Sequence, residues 1–321
     1  MRLTHIRRIM FLLIVPLLPS FPSVGQAQIS DSARVSILTI YPGEAIYALW
    51  GHSALRIWDP FTGFDISYNY GTFDFRNPVS FMARFAYGKL DYQLSLNPSQ
   101  ALVGHSWVTE DRGVVQQELN MSPEETQALY HFLSLNALAE NREYRYDFLY
   151  DNCATRILDA LEYALQYPLV DSTIVGTSFR SLIRPYLNAK PELDLAINLA
   201  MGIPVDQSAT TRQLSFLPIE FQILMQNARK YNGSKLVAHT DTLFGQPSSP
   251  KPRRTISFPT AVGWGIFLLG LLLCIKDFRA PQQRIYDTIL FGVISMIGLI
   301  ITFFWFISLH EITHPNIHIL W

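Results

Sequence analysis

Two apolar stretches near the C-terminus, residues 258–275 and 286–309, limit what this chain can fold into. Segments of that length and character cross a bilayer rather than join a water-exposed surface. The first is just long enough to span and the second is comfortably so. Hydrophobic residues make up 49% of the chain and charged ones 16%, but the apolar surplus is concentrated before Ser20 and after Phe258. What lies between has the balance of one soluble domain, large enough for a good-sized core. The formal net charge of −1 and the lack of a basic stripe with interleaved aromatics exclude nucleic acid as an expected partner.

The N-terminus reads as a secretory signal. Arg2, Arg7 and Arg8 precede a short apolar run from Ile9 to Leu18, interrupted by Pro16, and Gly25 and Ala27 supply small residues for a cut after Ala27. The expected organisation is therefore a signal peptide at 1–27, an exported domain at 28–245, a Pro/Ser-rich linker at 246–257 and a transmembrane region at 258–321. Lys276, Arg279 and Arg284 between the apolar stretches suit a cytoplasmic loop. Export then places the tail from His310 back on the domain's side. The chain stops at Trp321 without a polar ending, so a two-helix membrane region that is incomplete is expected.

Within the domain, the first half reads as β and the second as helical. Residues 35–41 (VSILTIY), 53–58 and 64–70 have strand character, the last two joined as a hairpin through Asp59-Pro60 and Thr62-Gly63. A later strand pair is expected at 92–96 and 114–119. Ser122-Pro123-Glu124-Glu125 opens a helix to about Leu138. Asp151 or Asn152 caps the next, whose apolar face is Ile157, Leu158, Leu161 and Leu165, with Pro168 ending it. Shorter helices are expected at 178–187 and 193–201.

The chain has two cysteines, Cys153 in a polar setting and Cys274 inside the first apolar stretch, so the exported domain holds one cysteine without a partner. Cys153 falls in the first turn of a helix, where unpaired N–H groups and the dipole favour a thiolate. His52, just after the small Gly51, is the candidate base that takes the thiol proton. The base needs an orienting partner. With the hairpin turn centred near Phe61, His52 sits opposite Asn69 or Tyr70, while Asp65 pairs near Ile57, roughly 16 Å away at strand rise. Asn69 is preferred on that register. Arg156 pairs with Asp151 or Asp159, or contacts a phosphate; Tyr68, Tyr70, Phe73 and Phe75 are expected to pack in the core and loops. A zinc-protease pattern, His310-Glu311-Ile312-Thr313-His314, is discounted because Pro315 biases His314 away from helix.

The segments WGHSALRIWDP (50–60), YNYGTFDF (68–75), YDFLYDNCATR (146–156), RSLIRPYL (180–187) and FLP (216–218) together resemble the Lnb family of lipoprotein N-acyltransferases, over residues 30 to 230. His before Cys also resembles the circularly permuted papain-like arrangement of acyltransferases similar to lecithin–retinol acyltransferase. The resemblance implies an α+β, permuted papain-like (NlpC/P60-like) ectodomain followed by a helical transmembrane region. It implies an enzyme of the inner (cytoplasmic) membrane with its catalytic domain on the periplasmic side. Cys153 would be the nucleophile and His52 the base. The acyl chain of a phospholipid would pass through a Cys153 thioester to the α-amine of a diacylated lipoprotein, with no metal or organic cofactor needed. The tail around His314-Pro315-Asn316 is similar to an external loop of that family's membrane region and would lie near the site. Rival readings are a cysteine peptidase or amidase acting on cell-wall peptide, and a membrane-tethered binding module.

Overall fold

The computed structural model describes residues 29–73, 76–89, 91–245, 258–277 and 284–316. The expected signal peptide at 1–27, the linker at 246–257, Phe75, Arg279 and the tail beyond Asn316 lie outside the described residues.

The alternating stretches of the first half form a seven-stranded antiparallel sheet. Its strands are β1 (Arg34–Ile40), β2 (His52–Asp59), β3 (Phe64–Thr72), β4 (Asp91–Pro98), β5 (Val114–Leu119), β6 (Glu143–Arg145) and, from the far end of the domain, β9 (Val237–Phe244), in the spatial order β6-β4-β3-β2-β1-β5-β9. A separate two-stranded ribbon pairs β7 (Ile174–Ser178) with β8 (Ser208–Thr210). The segments expected at 92–96 and 114–119 are both strands, but they are not partners: β4 lies between β3 and β6, and β5 between β1 and β9. Sequence adjacency misleads here because β1 is already paired on one edge with β2 and offers its other edge to β5.

Central β1 is buried on both faces. Val35 and Ile37 join a core with Leu55, Ile57, Tyr68 and Tyr70, whereas Leu38 and Ile40 pack with Ala54, Val103 and Val114. The second layer is covered by α2 (Ser99–Gly104), which carries Val103. The first layer is closed by two helices the sequence signals correctly. One is α3 (Pro123–Asn136), opened by a Ser122/Glu125 capping box, and the other is α4 (Cys153–Leu165). Ile157, Leu158, Leu161 and Leu165 of α4 are all buried, as their spacing predicts. Burying four such side chains contributes roughly 6–12 kcal/mol before entropy is charged against it. Two helices of the β-rich half have no sequence expectation, α2 and α1 (Pro78–Tyr87), the latter capped by Asn77 and ended by Gly88.

A second cluster, around Leu149, Phe179, Ile183, Leu187, Val205 and Phe216, holds α5 (Phe179–Ile183) and α6 (Pro191–Ala200), while α7 (Pro218–Asn227) packs Phe221 and Met225 into the core under the sheet. The C-terminal region is a helical hairpin of α8 (Phe258–Asp277) and α9 (Arg284–Phe306). Of the two expected spans, the stretch Ile285–Phe306 of α9 is long and apolar enough to cross a membrane, with mean hydropathy 2.5; the apolar part of α8, Phe258–Leu273, is shorter. Residues 307–309, expected inside the second span, have already left the helix.

The chain after α9 folds back onto the domain. Leu309 N–H bonds Tyr87 O at 2.8 Å, Ser308 Oγ bonds Ala86 O at 3.0 Å, and Gly202 and Ile203 N–H bond Ile312 O and Pro315 O. Asn316, fully buried, donates to Leu199 O at 2.7 Å and Ala200 O at 3.1 Å. The membrane hairpin is thus stitched to the domain on two sides of one short tail.

Candidate active site

Cys153 occupies the first helical position of α4. Asn152, rather than Asp151, is the cap: its Oδ1 accepts from Ala154 N–H at 2.9 Å and Thr155 N–H at 3.2 Å. Asp151 is instead committed to Arg156, which binds both its carboxylate oxygens at 2.6 and 2.8 Å; Asp159 goes to Arg212. Cys153 is a free thiol, 8% exposed.

His52 opens β2 directly after Gly51, whose φ is +84° and where an added Cβ would stand 2.9 Å from Ile40 O. Only glycine fits there, and it turns the chain so that the imidazole enters the site. The hairpin register pairs Leu55 with Tyr68 and Trp58 with Asp65. Continued one step at a time, it sets His52 opposite Gly71, so Asn69 is the diagonal neighbour, still within reach. His52 Nε2 and Asn69 Oδ1 are 2.6 Å apart. Asp65 is held by Arg56 through two 2.7 Å bonds. With Nε2 engaged, Nδ1 is the ring nitrogen left to face the thiol.

Gly71, at φ +86°, shows how tightly the groups converge. A Cβ built there would lie 3.5 Å from Cys153 Cβ, 3.8 Å from His52 Cε1 and 3.9 Å from Tyr144 Oη. The ladder between β3 and β4 shifts register in this stretch, between Asn69 and Thr72, a local irregularity of the kind that re-aims side chains. Thiol, imidazole and phenol therefore surround one point on the glycine backbone.

Electrostatics follow from that convergence. Burial pushes the Cys153 thiol up. The His52 charge, its hydrogen bond and the backbone N–H groups of Ser53 and Ala154 outweigh burial and hold the thiol below its ordinary 9.0. Burial likewise works against a charged His52, but the Cys153 thiolate and the bonds to Cys153 and Asn69 raise it above its ordinary 6.5, with buried Arg112 opposing. Both shifts favour the charged form of the pair, thiolate beside imidazolium, over the neutral one. Iodoacetamide alkylation of the Cys153 peptide, followed against pH by mass spectrometry, is expected to start below the ordinary thiol range. In His52→Ala the limb should move up toward that range; an unmoved limb would remove His52 as the activating group.

Tyr144, on β6, is the group that sequence reasoning missed. Its hydroxyl is buried and has no hydrogen-bond partner among the described residues, and burial first, then the Cys153 charge, push it far above its ordinary value. The Arg156 guanidinium lies 3.6 Å over its ring. A cavity of about 400 Å³ opens on the far side of Arg156, lined by Tyr70, Phe132, Asn136, Tyr150, Asp151, Arg156 and Asp159; Cys153, His52, Asn69 and Tyr144 are not in its lining. Tyr68 and Tyr70 are core residues, as expected. The His310–His314 run is not an α-helix: only Glu311–Thr313 form a short 3-10 turn, and His310 Nε2 meets Phe85 O at 2.6 Å. Among the described residues, no group of three or more His, Cys, Asp or Glu could hold a metal ion.

The described residues thus form an α/β domain that sets a thiol beside an imidazole at one end of an antiparallel sheet and is bonded to a helical hairpin, one helix of which is long and apolar enough to cross a membrane. The Lnb N-terminal periplasmic domain matches residues 21–184 and the Lnb transmembrane domain matches residues 251–321, and the chain belongs to the Lnb family. Cys153, His52, Asn69 and Tyr144 all fall inside the first match. No curated protein and no solved structure matches the chain. It is a membrane protein with a periplasmic domain, and its family suggests an enzyme of lipoprotein processing.

Proposed function

We propose that the protein is a lipoprotein N-acyltransferase that works through a Cys153 thioester. The observation that carries this reading is the chain of Cys153, His52 and Asn69, its thiol and amide buried and its imidazole half-buried, with the thiol at a helix N-terminus, set in a domain tied to membrane helices. The order His on a strand, then Cys opening a helix packed on that sheet, supports a permuted papain-like arrangement. The catalytic unit is the 28–245 region and the membrane anchor the 258–321 region, with the site facing the periplasmic side of the inner membrane.

In the first half-reaction the Cys153 thiolate attacks an ester carbonyl of a phospholipid. The carbonyl π pair moves onto oxygen, and the Tyr144 hydroxyl, unpartnered at rest, donates to that oxyanion. The tetrahedral species collapses to the thioester, and the lysophospholipid alkoxide leaves with the proton of the His52 imidazolium. In the second half the neutral His52 takes a proton from the α-amine of diacylglyceryl-cysteine as the amine attacks the thioester. The amide forms and the thiolate departs, which restores the ion pair. Both substrates are lipid-embedded, which suits a site on a membrane-bound domain.

The test is expression in cells lacking lipoprotein N-acylation, with lipoprotein N-termini read by mass spectrometry. Triacylated N-termini are expected. Their absence, with cleavage of wall peptides instead, would favour a peptidase or amidase; neither product would favour a binding module. Tyr144→Phe removes only the hydroxyl. It is expected to cut transfer about 100-fold, as for loss of one oxyanion donor at the milder end, while the alkylation profile of Cys153 stays in place. Unchanged transfer would remove Tyr144 from the mechanism.

A further inference from the structure

Helix α1 carries more exposed apolar surface than a water-facing helix needs. Val79 is 81% exposed, Phe85 43% and Tyr87 38%, and Ser80, Ala83 and Arg84 are also exposed. Lys89, just past the helix, lies 5.6 Å over the Tyr87 ring. Its other side is fixed inward: Phe81 stacks on Phe73 at 4.9 Å, and Phe73 lies 5.1 Å from Tyr92. Aromatic and aliphatic groups beside two cations are the composition of a helix that lies in a membrane interface.

Position says what covers it. The apolar stretch Ile285–Phe306 has 22 residues, about 33 Å at helical rise, close to the ~30 Å of a bilayer's hydrocarbon core. The end of α9 therefore lies near the hydrocarbon boundary. Leu309, three residues on, donates to Tyr87 O, and Gly88 packs so closely that a Cβ would stand 2.9 Å from Leu309 C and His310 N. Three extended residues reach at most about 10 Å, and a headgroup layer is about 5–8 Å thick on each side. The C-terminal end of α1 thus falls at the headgroup layer. Across the tail, α6 touches both membrane helices and exposes Leu195 (49%), and Ile203, bonded to Pro315 O, is 39% exposed.

We propose that α1, through the stripe Val79, Ala83 and Tyr87, with Leu195 and Ile203 on the far side of the tail, rests in the headgroup–acyl boundary of the leaflet from which α9 emerges. The occupant of this surface is the bilayer itself. Because α1 follows β3 within a few residues of Asn69 and Gly71, this contact sets the thiol site at the membrane surface. That consequence for lipid-embedded substrates rests on the acyl-transfer reading, whereas the docking does not.

The test uses the full chain, with Cys153→Ser and Cys274→Ser, reconstituted in phosphatidylethanolamine/phosphatidylglycerol vesicles. A nitroxide is attached at Val79→Cys, at Ala83→Cys on the same side of the helix, at Phe61→Cys as the water-exposed reference and at Ile289→Cys as the buried-in-lipid reference. Accessibility to oxygen is compared with accessibility to a water-soluble nickel chelate. The oxygen-to-nickel ratio at Val79 and Ala83 is expected to exceed that at Phe61 several-fold and to fall short of Ile289. A ratio at both α1 positions equal to that at Phe61 would overturn the proposal. No turnover enters the reading, so failure of docking and failure of acyl transfer are separate results.

Discussion

Cys153→Ser is expected to lower lipoprotein N-acylation by at least ~10³-fold, to the background of cells that lack the activity. Serine replaces sulfur by oxygen in the same rotamer space, so α4, its cap and the position of His52 should persist. The ionisation does not persist. Sulfur ionises here because its ordinary pKa is 9.0 and three favourable groups, His52 and the N–H groups of Ser53 and Ala154, overcome burial. An alcohol starts many units higher, and the same groups cannot bring it into range. In the serine triad the imidazolium is backed by a carboxylate. His52 is backed by the amide of Asn69, which orients the ring without supplying charge. Thermal unfolding of the variant should match that of the wild type, which separates lost chemistry from lost fold. Triacylated lipoprotein that survives Cys153→Ser would sink the thioester mechanism.

The part of this site that could be read in the sequence is the part encoded by local signals. A capped helix start placed Cys153, and the hairpin between β2 and β3 pointed His52 at Asn69. Even so, the register was off by one or two residues. The turn is fixed by Asp59, whose carboxylate accepts from Phe61 N–H at 2.9 Å and Ser30 Oγ at 2.6 Å, and this sets the ladder so that His52 faces Gly71. Asn69 remained the partner because a diagonal neighbour on the same face is still in reach, whereas Asp65 was drawn off by Arg56. Tyr144 was not legible. It sits on a three-residue strand at the sheet's edge, and it reaches the thiol only because Tyr144 pairs with Tyr92 on β4, which pairs with β3. Such a path through two long-range pairings leaves no local pattern. The same holds for α1, whose outward apolar residues blur the periodicity of an amphipathic helix. Its logic becomes visible only when the end of α9 is found bonded to it.

Asn152→Ala is expected to destabilise the domain by about 2–5 kcal/mol. Asn152 is 2% exposed and its side chain is fully used: Oδ1 accepts from Ala154 and Thr155 N–H, and Nδ2 donates to Phe148 O and Phe216 O at 2.8 Å each. One amide thus ties the start of α4 to the loop before it and to the segment leading into α7. Removing it costs the cap, about 0.5–2 kcal/mol, and leaves two buried carbonyls without donors, at roughly 1–3 kcal/mol each, partly recovered by relaxation. For a domain of this size that amounts to a fall of about 5–15 °C in the unfolding midpoint, readable by intrinsic tryptophan fluorescence of the full chain. Asn152→Asp separates the cap from the charge. It keeps the Oδ1 contacts but turns an oxygen toward two carbonyl oxygens and sets an anion next to the thiolate. Its Cys153 alkylation limb should therefore shift to higher pH than that of Asn152→Ala. If both variants unfold with the wild type and alkylate with its profile, the node holds neither the helix start nor the thiol, and the activation of Cys153 does not depend on the Asn152 side chain.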